Sequence, residues 1–500
     1  MPKRVAKARA DVEARFQEAL KTVDSSAART LGELEGELWT RLLALGRAMV
    51  TLFLVHQAQR PWSSRYEHDG QQYVIDERGR TSDVGTRFGK VSFWRPIGRV
   101  VGRCRAKADL PVDRELGLCA GFSLGTVTSM VRLCAMLPFA TSMGVFRAFS
   151  EWSPSIRATL RMVDGLGAHA RPFLEQAEAP EDDGAILVIE VDGRGAPMMR
   201  ETEHERRRQP RPRAKQKKLK RHQIREKRKK AARPRRKKGD KSKNSKLAIV
   251  GVLYTLKKTP QGLEGPINKR IYATFESHEA LMRRLLCEAR KRGYGKKGKT
   301  VVFLADGCDH IWRWQQQLFP DAIPCVDWYH VAEKLYSAGL TMHREGSAEL
   351  SAWVDKQKER LASGQVWDVV DDLSAVLAAV PKTGPGTKSK RKTLFDVIRY
   401  LGDHSDRLMY DKLRARDLPI GSGAVEGAVR NLIAVRFDGP GMRWGRERSE
   451  VLLQLRCIVL NGMWEDFVTY LRQRGRITLP AEPIAASAYT AKPQTLQEAA

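Results

Sequence analysis

The chain has 500 residues, 42% of them hydrophobic, and a formal net charge of +31. That much apolar material builds a sizeable core of two to four domains and excludes a wholly disordered protein, while a charge so far from zero makes a polyanion the expected partner. Of DNA, RNA and anionic membrane, membrane is the weakest reading, because apolar runs such as Met49 to Val55 fall short of the ~20 residues a spanning helix needs.

The N-terminus MPKRVAKARADVEARF is charged throughout and has no apolar signal segment, so a soluble cytoplasmic protein is expected. Leu31, Leu34, Leu38, Leu42, Leu45, Met49 and Leu52 recur at steps of three and four. This spacing predicts one long amphipathic helix over roughly 28–58, either a core helix or a self-association seam. From Tyr66 to Val101, short β-like runs broken by glycines predict a small meander. A helical region over 111–180 follows. Within it Ser153 and Pro154 are a good N-cap and first residue for a helix over about 154–163. Two helices about a tight turn read either as a structural hairpin or as a helix-turn-helix offering Ser155, Arg157 and Arg161 to DNA.

Residues 201–246 hold 23 Lys or Arg against 5 Asp or Glu, a net charge of +18 by difference. Such a block cannot fold compactly alone, because like charges repel and few apolar groups oppose chain entropy. It reads as a flexible basic arm, with Arg206, Arg207, Arg208, Lys217, Lys218, Lys220, Arg228, Lys229, Lys230, Arg235, Arg236, Lys237 and Lys238 as candidate phosphate contacts. After it, apolar strands (LAIVGVLYTL, RIYATF, TVVFLAD, AIPCVD) alternate with helices near 278–292 and 310–319 and one beginning at Trp328. The alternation predicts an α/β core: a mixed sheet flanked by helices over 181–344. Residues 345–416 read as an all-helical insertion interrupted by the linker PKTGPGTKSKRK, 417–475 complete the core, and an Ala/Pro-rich tail over 476–500 is expected to be disordered. The seven cysteines (Cys104, Cys119, Cys134, Cys287, Cys308, Cys325, Cys457) are scattered with no C-x-x-C pair, which supports neither a disulfide framework nor a zinc finger.

Three acids stand where acids are expensive. Asp192 ends or interrupts the strand AILVIEVDG, Asp306 ends TVVFLADG, and Glu426 sits in IGSGAVEGAVRN, a helix expected from about Ser422. A buried strand-end charge needs a partner or a cation, although Asp-Gly after a strand is also a common turn. As a set they suit phosphodiester cleavage, which uses convergent carboxylates to hold hard cations such as Mg²⁺. Gly193, Gly195 and Gly307 leave room there for a DNA backbone. Glu190, two residues before Asp192 and on the same strand face, competes as a ligand. No G-x-x-x-x-G-K-[ST] phosphate loop occurs, so no nucleotide cofactor is expected.

The segments VIEVDGRG, VVFLADGCDHIW, CVDWYHVAEKL and IGSGAVEGAVRNLIAVRFDGPGMRW together resemble the signatures of DDE transposases with an RNase H-like core, closest to the ISKra-type bacterial insertion-sequence group and its Mutator-like relatives. The resemblance covers roughly residues 115–470. It implies that Asp192, Asp306 and Glu426 are the catalytic, metal-binding carboxylates, served by two Mg²⁺ ions for which Mn²⁺ substitutes. It also implies that Asp327-Trp328-Tyr329-His330 matches an Asp-x-x-His element. His330 and Asp327 then position substrate or hold structure, and Trp444 in GMRWG stacks on a base or simply packs. The implied activity is hydrolysis at the ends of an insertion element followed by strand transfer into target double-stranded DNA. A homo-oligomer in the bacterial cytoplasm, at the nucleoid, is implied as well. Two other readings remain open at this stage: a nuclease or resolvase of the same core that does not join strands, and a non-catalytic nucleic-acid-binding protein. The arm over 201–246 is longer and more charged than the family pattern requires.

Overall fold

A computed structural model describes residues 2–24, 30–102, 108–199, 245–439, 442–475 and 477–483. The basic arm up to residue 244, and with it every arginine and lysine named above between Arg206 and Lys238, lies outside the described residues, as do 484–500 of the tail, while Ser245 and Lys246 begin a strand. The chain divides into two compact units, Met1–Phe173 with Gly462–Ala500, and Leu174–Asn461.

In the first unit, α1 (Pro2–Asp24), which the leucine spacing did not announce, is followed by α2 (Leu31–Ala58). Thr30 caps α2 through a capping box with Glu33, so the helix starts where its first N–H groups find an acceptor. Leu43, Gly46, Ala48, Leu54 and Ala58 are its buried face, whereas Leu31, Leu42, Met49 and Phe53 remain exposed. Among the described helices α2 alone is long and apolar enough to cross a membrane, a point that the short apolar runs had hidden. It nevertheless carries Arg41 and Arg47 and buries one side in its own unit. The meander is β1 (Arg65–His68), β2 (Gln71–Thr86) and β3 (Gly89–Val100), all antiparallel. Val84, Val91 and Phe93 pack with Leu54, Val112 and Leu118 as the core. Arg95 is buried against Asp113 at 2.6 Å.

Four helices follow: α3 (Pro111–Glu115), α4 (Leu124–Met136), α5 (Phe139–Ser150) and α6 (Ile156–Gln176). The helix expected over 154–163 starts two residues later and runs to Gln176, with Ser155 rather than Ser153 accepting from Ala158 N–H. Its candidate DNA-reading arginines face the protein's own C-terminal segment. Arg157 pairs with Glu482, and Arg161 donates to the Pro480 carbonyl. That segment, 477–483, is packed: Ile477 and Leu479 are buried, and Leu479 fills the space over Gly165.

The second unit is built on a five-stranded sheet in the order β6-β5-β4-β7-β8. The strands are β4 (Ile186–Pro197), β5 (Ser245–Thr259), β6 (Gly262–Thr274), β7 (Thr300–Ala305) and β8 (Ile323–Val326). β4, β5 and β6 pair antiparallel, and β7 and β8 extend from β4 in parallel. This mixed order is that of an RNase H-like core. β4 is buried without a break from Ile186 to Val191, and β5 from Ala248 to Leu256. Such runs, without alternation, mark a sheet covered on both faces. On one face Leu285 of α7 (His278–Lys291) fills the space over Gly251, where a Cβ would lie 2.6 Å from it.

The remaining helices are α8 (Asp309–Leu318), α9 (Trp328–Gly339), then α10 (Ala348–Ala362), α11 (Val366–Ala379), α12 (Thr387–Asp403) and α13 (Tyr410–Arg414). The span 345–416 is built of helices, and the linker within it ends earlier than expected, because TKSKRK forms the first turns of α12. The chain returns through α14 (Gly423–Val429), a π-helical turn (Arg430–Ala434) and a final α turn (Val435–Phe437) to α15 (Arg446–Leu460). α16 (Trp464–Gln473) belongs to the first unit. Of the described cysteines, Cys119, Cys134, Cys325 and Cys457 are buried and Cys287 is exposed.

Candidate active site

The sheet register builds the site. Val191 pairs with Ala305, and Ala305 with Val326, across parallel strands. The next residue on each strand is an aspartate, so Asp192, Asp306 and Asp327 form a row at successive strand ends, with backbones about 5 Å apart. In open α/β sheets the crevice beyond such carboxyl ends is where ligands bind.

The three acids differ in what they do. Asp192 is partly exposed and takes its neighbour Gly193 N–H at 2.6 Å. Burial raises its pKa, and Asp306 and Asp327 push it further in the same direction, while His330 opposes them. Asp306 accepts from Cys308 N–H at 3.0 Å, and its carbonyl takes the Trp312 indole N–H at 2.8 Å. Its field also reaches His278, whose ring stacks on His310 with centroids 5.8 Å apart.

Asp327 is 1% exposed and is used up internally. Its Oδ1 accepts from Ser422 N–H at 2.6 Å, and its Oδ2 from His330 N–H at 3.0 Å and the His330 ring Nδ1 at 2.7 Å. Burial alone would raise this carboxyl, but the hydrogen bonds from His330 and Ser422 outweigh it and hold the pKa low. The same hydrogen bond raises His330 to about 9, helped by the fields of Asp192 and Asp306. At neutral pH this residue is therefore an imidazolium beside two carboxylates. Nδ1–H serves Asp327, which leaves Nε2–H as the donor facing away from that bond.

Glu190 turns out to be deeply buried, at 0% exposure. Tyr254 OH donates to its Oε1 at 2.7 Å, and Val425 N–H of α14 donates to its Oε2 at 2.6 Å. Burial raises its pKa to about 7 against the pull of these donors. α14 therefore lies on the face of β4 shared by Glu190 and Asp192. Glu426 follows Val425 directly and is exposed, whereas Val425, Ala428 and Val429 are buried. The fold brings Asp192, Asp306, Asp327 and His330 together in one another's fields. Glu426 is exposed on the neighbouring helix and does not join them in a group of metal-ligating side chains. Among the described residues no group of three or more His, Cys, Asp or Glu side chains converges as a ready metal site. Two hard carboxylates still suit Mg²⁺, which is commonly held by one or two acids with substrate phosphates and water completing its shell.

Trp444 is packed. It is 6% exposed, donates its indole N–H to the Phe437 carbonyl at 3.0 Å, and lies under Arg436 at 4.7 Å. Its backbone forms an isolated parallel bridge at the end of β4 through bonds with Pro197 and Met199. At the site glycines a side chain would meet the protein itself. A Cβ on Gly193 would meet Leu247, one on Gly195 would meet Ser245, and one on Gly307 would lie 2.1 Å from the Tyr400 ring of α12. Neither Tyr254 nor Tyr400 stood out in the sequence. A tyrosine within the apolar run of β5 was the available sign that a buried hydroxyl needed a partner, while Tyr400 on an amphipathic helix gave none.

No family model matches the chain, and no curated protein matches it. Among solved structures, the Drosophila P element transposase strand transfer complex is similar over 70% of this chain and 81% of that one, at 10% identity and a TM-score of 0.24.

Proposed function

We propose that this chain is a DDE-type transposase, in which Asp192 and Asp306, with Glu426 contributed by α14, cleave and rejoin DNA strands with the help of Mg²⁺. The observation that supports this reading most is the alignment of Asp192 and Asp306 on adjacent parallel strand ends, each carboxylate within the field of the other. Two like charges held this way repel unless a cation lies between them. Asp192 and Asp306 are the residues that would hold it, and Mn²⁺ would serve in its place. When bound, the metal supplies activation of an attacking oxygen and neutralisation of charge on the leaving oxygen.

The protein's own groups do the rest. Asp327 fixes the His330 ring and keeps it protonated, so that Nε2–H can donate to a non-bridging phosphate oxygen of the strand being cut. The net charge of +31, concentrated in the arm, supplies sequence-independent attraction to duplex DNA. Strand ends are brought together by a homo-oligomer in this reading.

The test uses the purified protein, a supercoiled plasmid and a labelled duplex with a free 3′-hydroxyl, in Mg²⁺ or Mn²⁺. Asp192→Asn and Asp306→Asn should each reduce nicking by roughly a hundredfold or more and leave duplex affinity unchanged. Nicking that survives both substitutions would remove the catalytic reading. Joining of the duplex to the plasmid separates a transposase from a nuclease, which would release nicked product alone.

A further inference from the structure

We infer that Glu190 is a positioning residue that fixes the place of Glu426 by clamping the first turn of α14 to β4, an inference that rests on the catalytic reading of Glu426 above. A helix leaves its first N–H groups without intrahelical acceptors. At α14 the usual remedy is missing, because the Ser422 side chain makes no capping bond. Two buried carboxylates from the sheet take its place: Asp327 accepts from Ser422 N–H at 2.6 Å, and Glu190 from Val425 N–H at 2.6 Å.

Glu190 is ill-suited to be a metal ligand, because its side chain is fully buried and is held there by Tyr254 OH on one oxygen and Val425 N–H on the other. Turning the carboxylate out to reach an ion would cost those bonds and strand a tyrosine hydroxyl and a backbone N–H without acceptors. As a clamp, however, its position is apt. It lies two residues from Asp192 on β4 and holds the residue immediately before Glu426. The length of the Glu190 side chain thereby sets how far Glu426 stands from Asp192. Displacement of a reacting group by ~1 Å can cost a hundredfold in rate.

The experiment compares wild type, Glu190→Gln, Glu190→Leu and Tyr254→Phe, with Asp192→Asn as control. It measures amide hydrogen exchange over residues 421–434, Mn²⁺ binding by calorimetry, duplex affinity and plasmid nicking. The side-chain amide introduced by E190Q can accept from Val425 through its oxygen and donate to the Tyr254 oxygen, so Mn²⁺ affinity and nicking should stay within about threefold of wild type. E190L offers no acceptor. Exchange over 421–434 should speed by roughly tenfold or more and nicking should fall by on the order of a hundredfold, with duplex affinity unchanged. Y254F, a gentler change, should move exchange in the same direction by less. E190Q as inactive as D192N would make Glu190 a ligand and overturn the inference. Unchanged exchange in both E190L and Y254F would overturn it as well. A D192N protein that still nicks would remove the catalytic reading, and the exchange comparison would still decide whether the clamp exists.

Discussion

Replacing Asp327 by Asn tests the node on which the site turns. The carboxylate accepts three hydrogen bonds, one on Oδ1 from Ser422 N–H and two on Oδ2 from His330 N–H and Nδ1. An amide has one accepting oxygen, so whichever way it turns, its NH₂ faces an N–H donor and at least one buried donor loses its acceptor. That costs about 1–3 kcal/mol. The ion pair is lost too. His330 is 39% exposed in its side chain, so solvent screening limits this part to roughly 0–1 kcal/mol. The sum is about 1–4 kcal/mol at neutral pH.

The two parts separate by pH. The folded pKa of His330 is raised from 6.5 to about 9, so the stability it contributes is fully present below pH 6.5 and is lost as pH rises through about 9. Wild type should therefore lose stability relative to D327N across that window, and above it the gap should shrink to the cost of the orphaned donor. Urea unfolding in EDTA at pH 6 and at pH 9.5 measures the gap, and an NMR titration of the ring follows His330 directly, which should fall toward 6.5 in D327N. A His330 that still titrates near 9 in the variant, or a gap that is the same at both pH values, would refute the account.

Arg456, 1% exposed, donates from Nε to the Leu432 carbonyl at 3.0 Å and from its guanidinium to Asn431, both within the π-helical turn after α14. Arg456→Leu should cost on the order of 3 kcal/mol in thermal unfolding, and Arg456→Lys should recover little, since an ammonium cannot reproduce the fork. Gly307→Ala places a methyl 2.1 Å from the Tyr400 ring, which must open to at least 3.4 Å, by about 1.3 Å. A loss of ~1–3 kcal/mol is expected by calorimetry, with partial recovery in Gly307→Ala/Tyr400→Leu. Deletion of the basic arm over 205–240 should flatten the dependence of duplex affinity on salt, by about 0.9 in log–log slope for each phosphate that the arm neutralises, read by fluorescence anisotropy between 50 and 300 mM salt.

Much of this was legible in the chain itself. The leucine spacing placed α2 within a few residues of Leu31–Ala58, and the run TVVFLAD placed β7 with an aspartate at its end. These succeed because periodicity and turn chemistry are local. Locality could not foresee that a side chain at Gly193 or Gly307 would meet Leu247 or Tyr400. Nor could it foresee the bonds of Arg157 and Arg161 to the chain's own Glu482 and Pro480.

The sequence by itself determined that the chain carries a mixed α/β core, a concentrated positive charge and acids at strand ends, for these depend on residue type and short-range order. Only the tertiary structure decided which acid does what. Register across β4, β7 and β8 aligned Asp192, Asp306 and Asp327, and partners far along the chain, Tyr254 and Val425, turned Glu190 into a clamp. Whether a carboxylate caps a helix, orients a histidine or remains open to a cation is set by the donors that reach it. Those donors come from segments that meet only when the sheet closes.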